Sequence, residues 1–385
     1  MDLTNIRVLV LDAEAKQTAT IIRGLKEIGC IVTVFCKSKL DTCYVSKLPD
    51  FKVLRPEAGA NDEVFIRVLL ELVATGDYDV LMPVGEPSTN PVTQHEAEFR
   101  KYVKLACAPR EAYINAFDKQ RTFDFAAQTG IPAPKTRLTG QTVEEFLETV
   151  QFPLIIKPRN GLGSIGFHKF KTREDFAPYI AENHIDLDEY VLQEFVDHEK
   201  RMGVILFVDQ KGNVCMAYAN EVLRWFPLDA GSACLIRSVD EPELLEKSAK
   251  LLQAMHWQGV AALSFMVERE TGIPRLLEIN GRIPASIRLS RQCGFNVAKL
   301  LMEMAMDADV EQYPFNTKVG LCARHFDMDL AWFFKSPDRF RAQPSWFSWK
   351  NTEEVLYSRD DKKPFFASFF RKLLTYREIM KKKRH

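Results

Sequence analysis

Phe152-Pro153-Leu154-Ile155-Ile156-Lys157-Pro158-Arg159-Asn160-Gly161-Leu162-Gly163-Ser164-Ile165-Gly166-Phe167-His168-Lys169-Phe170 is the stretch on which the fold turns. Pro153–Lys157 reads as a buried strand, and Gly161, Gly163 and Gly166 satisfy the pattern G-x-G-x-x-G. A dinucleotide site needs that loop to open a helix. Here Gly166–Phe170 reads as a second strand, so the loop is a hairpin tip and the dinucleotide reading fails on context. Glycines at such a tip let backbone N–H groups close on phosphate oxygens with no Cβ in the way, and Ser164 sits among them. Lys157 leaves the apolar run just before the loop and needs a countercharge or water. A nucleotide phosphate would satisfy it; the bland alternative is a surface lysine at a strand end.

Outward from this stretch, the first hundred residues alternate strands and helices. Ile6–Leu11, Ile31–Phe35 and Val80–Pro83 read as strands, and Glu14–Ile28 and Asp62–Ala74 as helices. That α/β alternation predicts a parallel sheet covered on both faces, with a small-molecule pocket beyond the strand ends near Met82-Pro83-Val84-Gly85-Glu86. A helix is expected over Glu111–Gln128, stopped at Thr129-Gly130-Ile131-Pro132. Beyond it the pattern becomes α+β: strands at Val191–Glu194, Val204–Val208 and Val214–Leu223, a helix over Glu243–Met255, and a hairpin of Val260–Glu268 with Arg275–Asn280 around Thr271-Gly272.

Composition narrows the class. The chain has 385 residues, 46% hydrophobic and 27% charged, enough for two or three domains. Lys plus Arg equals Asp plus Glu at 52 each, so no overall field draws it to nucleic acid. The start lacks the basic and apolar regions of a secretory signal, and no apolar run reaches the roughly 20 residues of a membrane span. Eight cysteines without a CxxC pair suggest a reduced, cytoplasmic protein. Neither Ser/His/Asp nor HxxxH patterning is evident, which argues against a triad hydrolase or a zinc enzyme.

The segment richest in chemistry is Leu276-Leu277-Glu278-Ile279-Asn280-Gly281-Arg282. Alternation along a strand is expected to put Leu276, Glu278 and Asn280 on one face. Glu278 and Asn280 would offer hard oxygens to Mg²⁺, and Arg282 a fixed cation for a carboxylate or phosphate. Gln193-Glu194-Phe195-Val196 ends another apolar strand, where free backbone groups can read a purine edge; an ordinary strand ending in an acid is the alternative. Arg224 and Arg288 are further anion-binding candidates, with solvated surface arginines as their plain reading.

These residues together resemble the ATP-grasp superfamily, particularly its carboxylate–amine ligases and the carbamoyl-phosphate-synthase-like branch, from about Ile6 to Leu301. Asp118-Lys119 with Ala127–Pro134 looks like the segment of the first nucleotide lysine, and Phe152–Pro158 like the second-lysine strand. Leu192–Val196 resembles the adenine hinge, and Glu199 falls near the acid that contacts ribose. Glu278-Ile279-Asn280-Gly281-Arg282 is similar to the metal-binding Glu-x-Asn-Pro-Arg signature. Gly281 departs from it, and Ser264 in Ala262–Met266 stands where the family has a second acidic or amide metal ligand, with Glu268 four residues on.

The resemblance implies a Rossmann-like pre-ATP-grasp domain (1–110), an ATP-grasp small lobe (111–195), a large lobe (196–310) and a C-terminal extension (311–385). It implies ATP and Mg²⁺, with Mn²⁺ as a substitute, as cofactors. Lys119 and Lys157 would hold phosphates, the 161–166 loop would cover them, and Glu194, Phe195, Val196 and Glu199 would seat the nucleoside. Glu278, Asn280 and Ser264 would face the metal, and Arg282, with Arg224 and Arg288, the substrate. The implied reaction is ATP-dependent ligation of a carboxylate to an amine; a nucleotide-binding protein weakened by Ser264, or a phosphoryl-transfer enzyme, stays open. A homodimer is the default assembly. Aromatic clusters at Trp332-Phe333-Phe334, Trp346–Trp349 and Phe365–Phe370, then Lys381–Arg384, admit either packing on the body with a solvated tail or peripheral contact of that tail with a membrane.

Overall fold

The computed structural model describes residues 1–160, 166–228, 231–315 and 318–371. Its first sheet is built from β1 (Arg7–Val10), β2 (Ile31–Cys36), β3 (Phe51–Leu54), β4 (Val80–Met82) and β5 (Lys104–Leu105), all parallel, in the order β3-β2-β1-β4-β5. The near-continuous apolar runs of β1, β2 and β4 suit strands covered on both faces. Leu9, Phe35 and Leu81 pack on one side against Phe65 and Leu69 of α2 (Asp62–Val73). Val8, Val10, Val32 and Val34 pack on the other against Ile21 and Leu25 of α1 (Lys16–Glu27). Two short helices, α3 (Glu86–Gln94) and α4 (Glu96–Phe99), follow β4.

The helix expected over Glu111–Gln128 is two helices, α5 (Arg110–Phe117) and α6 (Lys119–Thr129). Asp118 breaks them with an extended backbone and caps α6 by accepting a hydrogen bond from the Gln120 N–H. An aspartate satisfies a free helix-start donor better than it continues a helix, which is the reason for the break.

Next come α7 (Val143–Thr149), α8 (Arg173–Glu182) and a small antiparallel sheet of β6 (Leu154–Pro158), β7 (His168–Phe170) and β8 (Tyr190–Glu194), ordered β7-β6-β8. The hairpin reading is correct: β7 pairs antiparallel to β6, with no helix after the glycines. Gly161, Gly163 and Ser164 lie outside the described residues. Gly166 is described, at φ +75°, and a Cβ there would stand 2.7 Å from Pro158 Cγ, so only glycine fits so close to the β6 end.

The large sheet contains β9 (His198–Val208), β10 (Val214–Phe226), β11 (Ser232–Val239), β12 (Gly259–Glu268), β13 (Pro274–Asn280), β14 (Cys322–Arg324) and β15 (Thr352–Glu354), in the order β13-β12-β9-β10-β11-β14-β15. One face, with Val204, Leu206, Leu263 and Phe265, packs on α5, α6 and α9 (Pro242–Ala254). The other, with Ile205, Phe207, Met216 and Ala262, is covered in part by α10 (Arg288–Cys293) and α11 (Val297–Ala305). α11 also meets α1: a Cβ on Gly24 would stand 2.5 Å from Asn296 Oδ1 and 2.9 Å from Ala298 Cβ. The first sheet and the large sheet therefore share one core.

Within residues 318–371, β14 and β15 complete the large sheet, and α12 (Phe326–Lys335) lies on β10 and β11. The ends are pinned by Lys16–Asp327 (2.5 Å), Arg23–Asp360 (2.8 Å) and Arg288–Glu353 (2.7 Å). The pairing that fixes Arg224 is deeper. Its Nε and Nη2 donate to Asp329 Oδ1 and Oδ2 at 2.6 and 2.9 Å, and Nη1 donates to the Pro344 carbonyl at 3.1 Å. Arg324 Nε stands 2.5 Å from Asp329 Oδ2, a second buried ion pair on the same carboxylate. Its guanidinium lies under Trp346 and Trp349 at 4.6 and 4.5 Å. Asp329→Ala would leave two buried cations without their counterion, so a loss of roughly 3–5 kcal/mol is expected. Chemical denaturation reads it directly.

Candidate functional site

Three chain segments converge where the small sheet faces the uncovered part of the large one. The first is the break before α6. Asp118, beside Lys119, accepts hydrogen bonds from Arg159 Nε (3.1 Å) and Nη2 (2.5 Å), while the Lys119 N–H donates to the Arg159 carbonyl at 3.0 Å. Arg159 lies two residues after Lys157, so this double latch ties the two lysine segments together.

The second is the end of β6. Lys157, only 9% exposed, reaches across to the large sheet and donates to the Leu277 carbonyl at 3.3 Å, with its ammonium 4.7 Å from the centre of the Phe123 ring. Burial pushes its pKa down to about 8; Glu278 works against that shift and Lys119 adds to it. The ammonium is thus held short of countercharge in a place that an anion would complete. Between about pH 8 and the ordinary lysine value of 10.5 the unfolded chain holds a proton that the folded chain has lost, so this group's contribution to stability rises with pH there. Affinity for a triphosphate should move the other way, falling roughly tenfold per pH unit above about 8. Calorimetric titration with ATP at pH 7 to 9.5 measures it, and a flat profile would show that Lys157 meets no phosphate.

The third is the β12–β13 hairpin. Ser264 is directly opposite Glu278, and Ala262 opposite Asn280, on the face not covered by α5, α6 and α9. The alternation expected for Leu276 is corrected by a bulge. Phe265 pairs with Leu276 although Ser264 pairs with Glu278, so Leu277 is the extra residue. Leu276 turns into the core with Phe265 and Ile279, while Glu278 and Asn280 stay on the open face. It is the carbonyl of this extra residue that Lys157 meets.

Asn280 holds the acid and the guanidinium in place. Its Nδ2 donates to Glu278 Oε1 at 3.2 Å, and its Oδ1 accepts from Arg282 Nη2 at 3.1 Å. Arg282 is half-buried, and burial opposes its charge while Glu86 and Glu278 favour it. Glu86 is a carboxylate that the motifs did not single out. It begins α3, just past β4, where Asp12 anchors the turn by accepting from the Val84 N–H (3.1 Å), the Gly85 N–H (2.7 Å) and the Ser88 hydroxyl. Burial pushes Glu86 up, with Arg282 and Lys119 opposing and Glu278 adding to the shift. The signal for it was an acid directly after glycine at the end of a buried parallel strand, a place where such sheets put ligands.

Gly281 is also explained. A Cβ there would stand 2.6 Å from Trp257 Cη2 and 3.2 Å from Tyr113 Cδ2, both rings being buried. Gly281→Ala should cost about 1–3 kcal/mol by overpacking, and a proline at that position at least as much. Thermal unfolding tests this; an unchanged Tm in either variant would contradict it.

Other expected site residues lie apart or are engaged elsewhere. Arg224 has its donors committed to Asp329 and Pro344, which corrects both its substrate reading and its surface reading. Arg288 is paired with Glu353 at the junction of α10 and β15. Glu268 is held by Arg275 (2.9 Å) and Thr271 (2.5 Å) at the hairpin turn, away from Ser264. Glu199, at the start of β9, is exposed and 3.5 Å from Arg269. At the hinge, the Glu194 and Phe195 N–H groups donate to the Lys135 and Pro153 carbonyls, and Val196 is buried. Among the described residues, no group of three His, Cys, Asp or Glu side chains is placed to hold a metal. The hard-oxygen set of Glu278, Asn280 and Ser264, with one formal charge, fits a magnesium ion that phosphate oxygens complete.

Residues 116–286 match the ATP-grasp domain family. The carbamoyl phosphate synthase large chain of Methanobrevibacter smithii is 22% identical over 263 residues, covering 64% of this chain and 24% of that one. This chain thus spans about a quarter of the length of that relative. The biotin carboxylase domain dimer of Hydrogenobacter thermophilus 2-oxoglutarate carboxylase, solved with MgADP, ADP and bicarbonate, superposes with a TM-score of 0.66 at 15% identity, over 82% of this chain and 73% of that one. The N5-carboxyaminoimidazole synthetase of Staphylococcus aureus complexed with ADP superposes with a TM-score of 0.62 at 12% identity, over 84% and 82%.

Proposed function

We propose that this chain, which carries an ATP-grasp domain homologous to carbamoyl phosphate synthase large chains, is an ATP-dependent ligase that activates a carboxylate for attack by an amine. The observation that carries the reading is the reach of Lys157 from the small sheet to the Leu277 bulge, one residue from Glu278. Lys119 and Lys157 bind the phosphates from one side of the cleft. The glycine-rich stretch 161–166, of which 161–165 lie outside the described residues, would cover them and exclude water, as the resemblance implies. The nucleoside would lie along Glu194-Phe195-Val196, its purine edge read by backbone beyond Phe195; Glu199 would have to exchange its pairing with Arg269 to meet the ribose.

Glu278, with Asn280 and Ser264 as neutral oxygens, would hold Mg²⁺ or Mn²⁺, which neutralises charge on the phosphates. Arg282 grips the substrate carboxylate, whose oxygen attacks the γ-phosphorus as ADP leaves. The amine then attacks the acyl carbon, releases phosphate and loses a proton. Glu86, whose pKa burial raises against the pull of Arg282, would orient the second substrate. Arg288, paired with Glu353, lies outside this scheme. A cytoplasmic homodimer is the proposed working form; no helix of the described residues is long and apolar enough to cross a membrane.

One observation favours a weaker enzyme or a nucleotide sensor: Ser264, neutral, is directly opposite Glu278. A panel of carboxylates and amines with ATP and Mg²⁺ separates the readings. ADP release that needs both substrates supports the ligase. Nucleotide binding without turnover favours the sensor, and a phosphorylated product without ligation points to phosphoryl transfer.

A further inference from the structure

Past the last turn of α12 the chain passes through residues 336–350 in turns, and this stretch carries the strongest unclaimed surface of the molecule. Phe334, Phe340 and Phe347 are 70%, 73% and 65% exposed. They are not scattered. Their rings lie 5.8, 5.5 and 5.8 Å from that of Phe333, which itself stands 4.5 Å from Trp346. Three exposed rings therefore fan out from one half-buried hub. The hub is fixed from below, since Trp346 Nε1 donates to the Asp329 carbonyl at 3.0 Å and its ring covers Arg324. The buried ion-pair knot thus serves as the footing of an outward-facing aromatic cluster.

The charges along residues 333–350 are four basic and one acidic. Lys335, Arg341 and Lys350 are exposed, Arg339 lies against the Phe340 ring, and Asp338 is the one acid of residues 333–350. In a chain with no net charge, this is a local positive field. Clustered exposed rings mark a binding surface. Rings flanked by basic side chains match a headgroup layer, where aromatics enter the acyl boundary and cations meet phosphates. A second copy fits worse, because a two-fold contact would set this positive patch against itself.

We infer that the fan of Phe334, Phe340 and Phe347, with Lys335, Arg341 and Lys350, docks the protein on an anionic lipid surface. The inference is independent of the ligase reading, and it places the contact on the folded body and not on the tail at Lys381–Arg384.

The experiment is co-sedimentation of the full chain with vesicles of phosphatidylcholine alone or with about a third phosphatidylglycerol. Binding is expected only to the second, weakening as salt rises. Lys335→Ala and Arg341→Ala should each lower the partition roughly fivefold. Phe334→Ser, Phe340→Ser and Phe347→Ser combined should lower it at least about tenfold. All are exposed positions, so an unchanged Tm and unchanged ATP binding confirm the fold. A failure of the wild-type chain to bind anionic vesicles overturns the inference, as does a triple phenylalanine variant that binds like wild type. So does loss of all binding when Lys381, Lys382 and Lys383 alone become glutamine. If the phenylalanine variant instead abolishes self-association in a chain that ignores lipid, the surface is a subunit contact and the inference is wrong.

Discussion

Lys157→Met is expected to lower ATP turnover on the order of a hundred- to a thousandfold while leaving the protein as stable as before, or more so. Both halves follow from one placement. The ammonium is buried between Phe123 and the Leu277 carbonyl, and its pKa is pushed down to about 8, so folding around it is uphill when it is charged. Methionine fills similar volume with no charge to desolvate, which removes that cost. The nucleotide loses a cation that the site aims at its phosphates, and single preorganised contacts of that kind are worth about two to three orders of magnitude. Rates of ADP release and Tm measured on the same preparation test both halves. A variant that is inactive and also strongly destabilised would mean that Lys157 is a structural lysine. One that turns over normally would remove it from the phosphate site.

Glu278→Gln is the second large effect, again expected at about a hundredfold or more in turnover. Glutamine keeps the size of the side chain and lets the bond to Asn280 be remade, so the change is one of charge. The loss is predicted to be sharper than in an enzyme with two acidic ligands, because the position opposite is Ser264 and supplies no second carboxylate. The Mg²⁺ concentration that gives half-maximal rate should rise with it. Wild-type turnover and an unchanged Mg²⁺ dependence in this variant would refute the assignment. Ser264→Glu is the converse, and tighter metal dependence there would identify serine as the limiting ligand.

Much of this was legible in residues. A glycine loop between two strand-like runs has only a hairpin to form, and the order of lysine, hinge and acid–amide segments resembled one superfamily before any coordinates. What escaped reading is instructive in physical terms. The Leu277 bulge is invisible to alternation, because a single unpaired residue reverses the phase of every side chain before it. Arg224 looked like a free cation because its partner, Asp329, is 105 residues away in sequence. Asp118 was absorbed into a helix by its apolar neighbours, although its capping preference argued for a break. Strands as short as β14 and β15 have too few residues for a period of two to show, so the C-terminal region read as an extension when it finishes a sheet.

The account rests on one triphosphate lying between the small and large sheets. A crystal structure with a non-hydrolysable ATP analogue and Mg²⁺ tests that most directly. The account predicts β- and γ-phosphate oxygens within about 3 Å of the Lys157 ammonium, and a metal ion bound to Glu278 on the far side of those phosphates. Phosphates bound elsewhere, with Lys157 still on the Leu277 carbonyl and Glu278 free of metal, would contradict it.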